Sequence, residues 1–114
     1  MSKSQDALLA VALERARHST LIAQGKFIDY FLPGVSDTAR LTILTEELGE
    51  AAKETCEILH SESKEWPNED REMVKVHKER VKKRLKGLLR KELIQVAAVA
   101  IAWIESLDME LGDK

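Results

Sequence analysis

The chain has a single cysteine, Cys56, so neither an intrachain disulfide nor a multi-cysteine metal cluster is open to it. A lone thiol fits a reducing cytosol. Two prolines and five glycines among 114 residues leave too little punctuation for a many-stranded sheet. Neither sign of charge prevails: 18 Lys and Arg against 20 Asp and Glu exclude a uniformly basic nucleic-acid binder and an acidic tail. The opening residues lack a basic stretch and a cleavage site, which predicts no signal peptide. The longest apolar run, 93–104, is broken by Gln95 and falls short of the roughly 20 residues a bilayer crossing needs. A cytoplasmic protein is the expectation.

What remains abundant is Ala, Leu, Glu and Lys, which lose little side-chain freedom in a helix. The expected fold is all-α and a single domain over 1–114, with an N-terminal helix at about 5–24 and a core at about 38–110. Residues 27–37 read as a connector carrying a Pro33-Gly34 turn, with Ser36 or Asp37 to cap the second helix. That helix is expected over about 38–60, its apolar stripe made of Leu41, Leu44, Leu48, Ala52, Thr55 and Leu59. Residues 61–70, with Pro67, read as a loop, and a third helical pattern runs from about 71 to 110 with a possible break at Gly87.

The near-neutral total conceals sorted charge. Residues 46–72 hold ten acids against three bases, and residues 75–91 hold nine bases against Glu79 alone. At about 100° per residue, Glu47, Glu50, Glu54 and Glu57 form an acidic ridge beside the Leu48 stripe. Like charges at this spacing repel by a few tenths of a kcal/mol each, a penalty that a cation removes. On the third helix Glu92 falls in the middle of the stripe drawn by Val81, Leu85, Leu88, Val96, Val99 and Trp103, with Gln95 beside it. A carboxylate buried there must be protonated, paired or metal-bound. Arg90 and Lys91 point away from it, so its partner must come from another helix, and the second helix offers carboxylates. Carboxylates facing carboxylates suit Mg²⁺ or Mn²⁺, which take hard oxygen ligands and leave positions for phosphate oxygens. Metal-assisted phosphoanhydride hydrolysis is the matching reaction class.

At these residues the chain resembles the MazG-like, all-α nucleoside triphosphate pyrophosphohydrolases, whose signature is E-x-x-E on one helix and E-x-x-D on a later one. Glu47-Leu-Gly-Glu50 matches the first, and Glu92-Leu-Ile-Gln95 stands in place of the second. The resemblance covers about 38–108 and implies Glu47, Glu50, Glu92 and Gln95 as metal ligands. It further implies Glu46 as the residue that orients or deprotonates the attacking water and Lys53 as a phosphate contact. The implied reaction turns a nucleoside triphosphate into the monophosphate and pyrophosphate in a house-cleaning role. Two departures stand out: Gln95 replaces the usual Asp, and the Glu50–Glu92 gap is long and filled by the basic segment. A helical interaction module that has kept the fold and lost the chemistry is therefore the rival reading, and a basic-helix nucleic-acid accessory protein comes third.

The other residues read more plainly. Glu57-Ile-Leu-His60 is one E-x-x-H, and a di-iron bundle needs two. His18 and His77 are expected at the surface and Cys56 partly buried. The basic run is expected to be a solvated face paired with acids, ahead of a phosphate-attracting rim. Nucleic acid ranks last, because no aromatic residue lies in the run to stack on bases. Trp103 reads as core or subunit contact, and Trp66 as an exposed loop residue able to stack on a nucleobase. Helix 93–104 is apolar nearly all round and must be covered on all sides. Three helices are too few for that, so the bundle is expected to be completed by oligomerisation, a four-helix core shared between two chains. The family resemblance likewise implies a homodimer or a dimer of dimers.

Overall fold

A computed structural model describes residues 2–25 and 35–112, so most of the 27–37 connector, with three of the aromatic side chains, lies outside the described residues. The described residues are all-helical: α1 spans Lys3–Ala23, α2 Asp37–Ser63 and α3 Glu72–Glu110. None of these helices is long and apolar enough to cross a membrane.

Local chemistry sets the helix ends. Ser2 Oγ accepts from the Gln5 amide while Gln5 Oε1 accepts from the Ser2 amide, a reciprocal cap that satisfies two otherwise orphaned donors. α1 ends where Gly25 takes a φ of 71°, and α3 where Gly112 takes 82°, a left-handed conformation that costs glycine nothing. Ser36 caps α2 by accepting from the Ala39 amide. α2 runs to Ser63, slightly past the expected end, before the Pro67 loop. Gly87 does not break α3, which is one 39-residue rod of about 58 Å at 1.5 Å per residue. The molecule measures 61 × 33 × 28 Å, so its long axis is that rod.

α3 is the central element, with α1 and α2 both packed on it. Its small residues Ala98, Ala102 and Ser106, spaced i, i+4 and i+8, are buried and admit close helix approach. Leu85 and Val99 are also buried, each contributing about 1.5–3 kcal/mol of apolar burial. Between helices, Arg15 of α1 pairs with Glu105 of α3 at 3.1 Å. Arg40 of α2, with 0% of its surface exposed, pairs with Glu110 of α3 at 2.8 Å and with Asp37 at 3.1 Å. Trp103 donates its indole N–H to the same Asp37 at 2.9 Å, so it is partly core and partly a polar clasp.

α2 is rotated relative to the sequence expectation. Its covered sector centres on Ala51 and takes in Arg40, Leu44, Glu47 and Ile58, whereas Leu41, Leu48 and Leu59 are exposed. Taking Ala51 as zero, Leu41, Leu48 and Leu59 lie at about +60 to +80° and Glu47, Glu50, Glu54 and Glu57 at about −40 to −120°. The helix therefore faces α3 along the seam between its leucine stripe and its acidic ridge. One neighbour covers only one sector, and the outer part of each stripe is left outside it. On α3, Leu93, Ile101 and Ile104 are likewise exposed, so three helices do not cover the 93–104 segment.

Three side chains differ from expectation. His18 is buried, with 6% of its surface exposed, because α1 lays it against α3. Cys56 is exposed, because it sits on the outward side of α2. Trp66 is half-buried: it donates to the Ser61 carbonyl at 3.4 Å, meets the His77 ring edge-on at 5.6 Å between centroids, and has the Lys64 ammonium 4.7 Å over its ring. His77 itself is exposed, as expected.

Candidate carboxylate site

Three helices contribute acids to one flank of the α2–α3 seam. Glu47 lies at the edge of the covered sector of α2, and Glu92 is half-buried on the facing side of α3. Burial pushes the Glu47 carboxyl above the usual carboxylate range, and the charges of Glu92, Glu50, Glu46 and Glu14 push it further the same way. The structure thus brings Glu92, Glu50 and Glu46 within electrostatic reach of Glu47. Among the described residues, no group of three or more His, Cys, Asp or Glu side chains is set closely enough to chelate an ion as it stands. Lys53 is exposed one turn beyond Glu50, on the outward side of α2.

Gln95 is turned toward α1. Its Oε1 lies 3.0 Å from His18 Nε2, and its amide lies on the Glu14 side, where it favours the charged form of that carboxyl. His18 Nε2 stands 3.4 Å from Glu14 Oε1. An Nε2–H donor on His18, with the Gln95 NH₂ toward Glu14, suits all three groups together. Arg17 binds the Glu14 carboxylate through Nε at 2.6 Å. That hydrogen bond holds Glu14 below the usual carboxylate range against the effect of burial, with help from Gln95 and from the Arg17 and His18 charges.

Sequence reasoning missed Glu14 and His18. The signal was their i,i+4 spacing within ALERARHS, which puts an acid and an imidazole on one helix face. It becomes informative only once α1 is known to pack beside Gln95.

The basic segment also departs from expectation. Lys78 pairs with Glu69, but none of the other eight bases between 75 and 91 is ion-paired with a described residue. The bases are solvated without being matched to acids. A cavity of about 280 Å³ opens between the far end of α2 and the start of α3, lined by Ile58, Glu62, Lys78, Glu79, Lys82 and Leu85. Its two bases and two acids balance, so it has no preference for an anion.

Comparison with protein-family profiles, with curated proteins and with solved structures gave no match.

Proposed function

We propose that the chain is a Mg²⁺-dependent nucleotide pyrophosphohydrolase that cleaves a nucleoside triphosphate to the monophosphate and pyrophosphate. The observation carrying this reading is the half-buried Glu47, which faces Glu92 from α3, Glu14 from α1 and two further acids of its own helix. Collecting like charge at a covered seam is unfavourable unless a cation is present to offset it. The donors are carboxylate oxygens with no sulfur or imidazole on the ridge, a set that fits Mg²⁺ or Mn²⁺. Glu47, Glu50 and Glu92 would hold the ion, and when bound it supplies Lewis-acid polarisation of phosphate oxygens and a water of lowered pKa.

The chain's own groups then have separable tasks. Glu46, exposed beside Glu47, is the candidate acceptor of a proton from the attacking water, the role that the family resemblance implies for it. Lys53, free in solvent one turn past Glu50, is the candidate phosphate contact. Gln95 is assigned to the ligand set by the resemblance to the MazG-like enzymes, but its oxygen is engaged by His18. That engagement favours the second reading, a helical interaction module in which the chemistry is weak or lost.

The reading includes a homodimer or dimer of dimers. Leu41 and Leu48 of α2 and Leu93, Ile101 and Ile104 of α3 are exposed. By helical phase they share the side of the α2–α3 pair opposite α1 and the acids. A second copy applying the same side would complete a four-helix core.

Pyrophosphate release from a panel of nucleoside triphosphates with Mg²⁺ tests the enzyme. The expected result is turnover by the wild type on at least one nucleotide and at least a hundredfold loss in Glu50→Gln. Equal inactivity of both on every nucleotide refutes it and leaves the interaction module.

A further inference from the structure

The basic half of α3 is covered by α2 on one side, while α1 packs on the other half, around Gln95 and Glu105. From residue 80 to 91 there is no acid, and Arg80, Lys83, Arg84, Lys86, Arg90 and Lys91 are all exposed and unpaired with any described residue. Taking the buried Leu85 as zero, Lys83, Lys86 and Arg90 lie at about +100 to +160°, and Arg80, Arg84 and Lys91 at about −100 to −140°. The six bases therefore form two rows flanking an outward crest, over about 17 Å of helix. Toward the middle of that crest is Gly87, at about −160°, and Val76 lies on the same line one turn before Arg80.

We propose that this face of α3 binds duplex DNA by lying in the major groove, with one basic row against the phosphates of each strand. A helix with its side chains is about 10–12 Å across, and the B-form major groove is about 12 Å wide. A-form RNA, whose major groove is deep and narrow, does not admit it. The crest carries no side chain that hydrogen-bonds base edges apart from Lys83, so binding is to the backbone and indifferent to sequence. The missing aromatic that weighs against single strands does not weigh against a duplex, where bases stay stacked. A protein partner suits the face less well, because little apolar surface lies between the rows to be buried. The exposed leucines and isoleucines that would attract a second copy lie elsewhere, on α2 and on the far half of α3.

Fluorescence anisotropy of a labelled 20-base-pair duplex with the full chain tests the proposal. Neutralising six phosphates gives a slope of log K against log salt of about −5, or roughly a thousandfold loss of affinity from 50 to 200 mM NaCl. Lys83→Gln with Lys86→Gln, and separately Arg84→Gln with Lys91→Gln, should each make the slope shallower by about 2. Lys3→Gln, at the start of α1, should leave it unchanged. Circular dichroism checks that each variant stays helical, and if one flank's variant unfolds the other flank's variant decides. The proposal is overturned by absence of saturable binding at 50 mM NaCl, by a slope that neither double variant alters, or by tighter binding of single-stranded DNA or duplex RNA. It is equally overturned if the same substitutions abolish a salt-dependent self-association while no duplex is bound, since the occupant would then be the acidic ridge of a second copy.

Discussion

Gln95 of the central helix presents its side-chain oxygen to His18 Nε2 of the first helix at 3.0 Å, and His18 is almost wholly buried there. The position that the family resemblance assigns to metal is thus a polar joint between two helices. Gln95→Ala removes that joint and its buried hydrogen bond to His18, at a cost of about 1–3 kcal/mol. The expected result is a melting temperature lower by about 4 °C or more, with faster amide hydrogen exchange along α1 than along α2. Mn²⁺ affinity, read by titration, should change by less than threefold. A tenfold loss of Mn²⁺ affinity without loss of stability would make Gln95 a ligand after all.

Glu47 yields a prediction of opposite sign. Its carboxyl binds its proton more tightly in the folded chain, because burial and the acids around it disfavour the charge. A raised folded-state pKa means that the folded state holds more protons than the unfolded one. Stability therefore falls as pH rises from the ordinary carboxyl value through the raised one, and the cost persists at neutral pH. Glu47→Gln should accordingly raise the melting temperature at pH 7 without divalent ions, by about 1–3 °C if each like-charge contact costs a few tenths of a kcal/mol. The same variant should lose the stabilisation that Mg²⁺ or Mn²⁺ gives the wild type. Scanning calorimetry with and without 5 mM MgCl₂ reads both effects.

How far the sequence reached depends on which level of organisation a residue reports. Helix spans followed from spacing and caps, and Ser36 was identifiable as a cap because a hydroxyl just before an apolar-periodic run has few other uses. Glu92 could be placed at a covered seam because its neighbours at 85, 96 and 99 draw one stripe. Which sector of α2 meets α3 was not legible. The leucine stripe and the acidic ridge lie side by side, and a helical wheel gives no weight to the second when the first is present. The polar neighbours of His18 in sequence predict a surface residue, although burial depends on what packs across from it. The pairing of bases with acids failed for the same reason, since opposite runs in sequence need not face each other in space.

Arg40 is the other long-range joint, at the far end of the molecule. The Glu110 carboxylate, ahead of Asp37, holds its guanidinium still more firmly in the charged form, and Asp37 also receives the Trp103 indole. Truncating Arg40 leaves the space of a wholly buried side chain unfilled between α2 and α3 and takes the shared cation from Glu110 and Asp37. Arg40→Ala should therefore lower the melting temperature by about 10 °C. Arg40→Met, which restores the volume, should recover part of that loss. Glu110→Gln should cost less than Arg40→Ala, because Glu110 is partly exposed and the amide oxygen can still accept from Arg40. Thermal melts of the three variants rank the effects, and Glu110→Gln falling below Arg40→Ala would show that the carboxylate matters for something other than this pair.

The exposed apolar side of the α2–α3 pair gives the remaining prediction. Leu48 is 55% exposed and Leu93 50% exposed, on helices whose other sectors already cover α3 and α2. If a second copy covers this side, Leu48→Asp buries a charge at the centre of the shared core, at a cost of several kcal/mol per interface. Sedimentation velocity at micromolar concentration should show the wild type as a dimer or tetramer and Leu48→Asp as a monomer with more exposed apolar surface. Lys53→Gln lies on the outward side of the same helix and should leave the assembly unchanged. A wild type that sediments as a monomer at every concentration tested would remove the shared core, and the carboxylate site would then have to function on one chain alone.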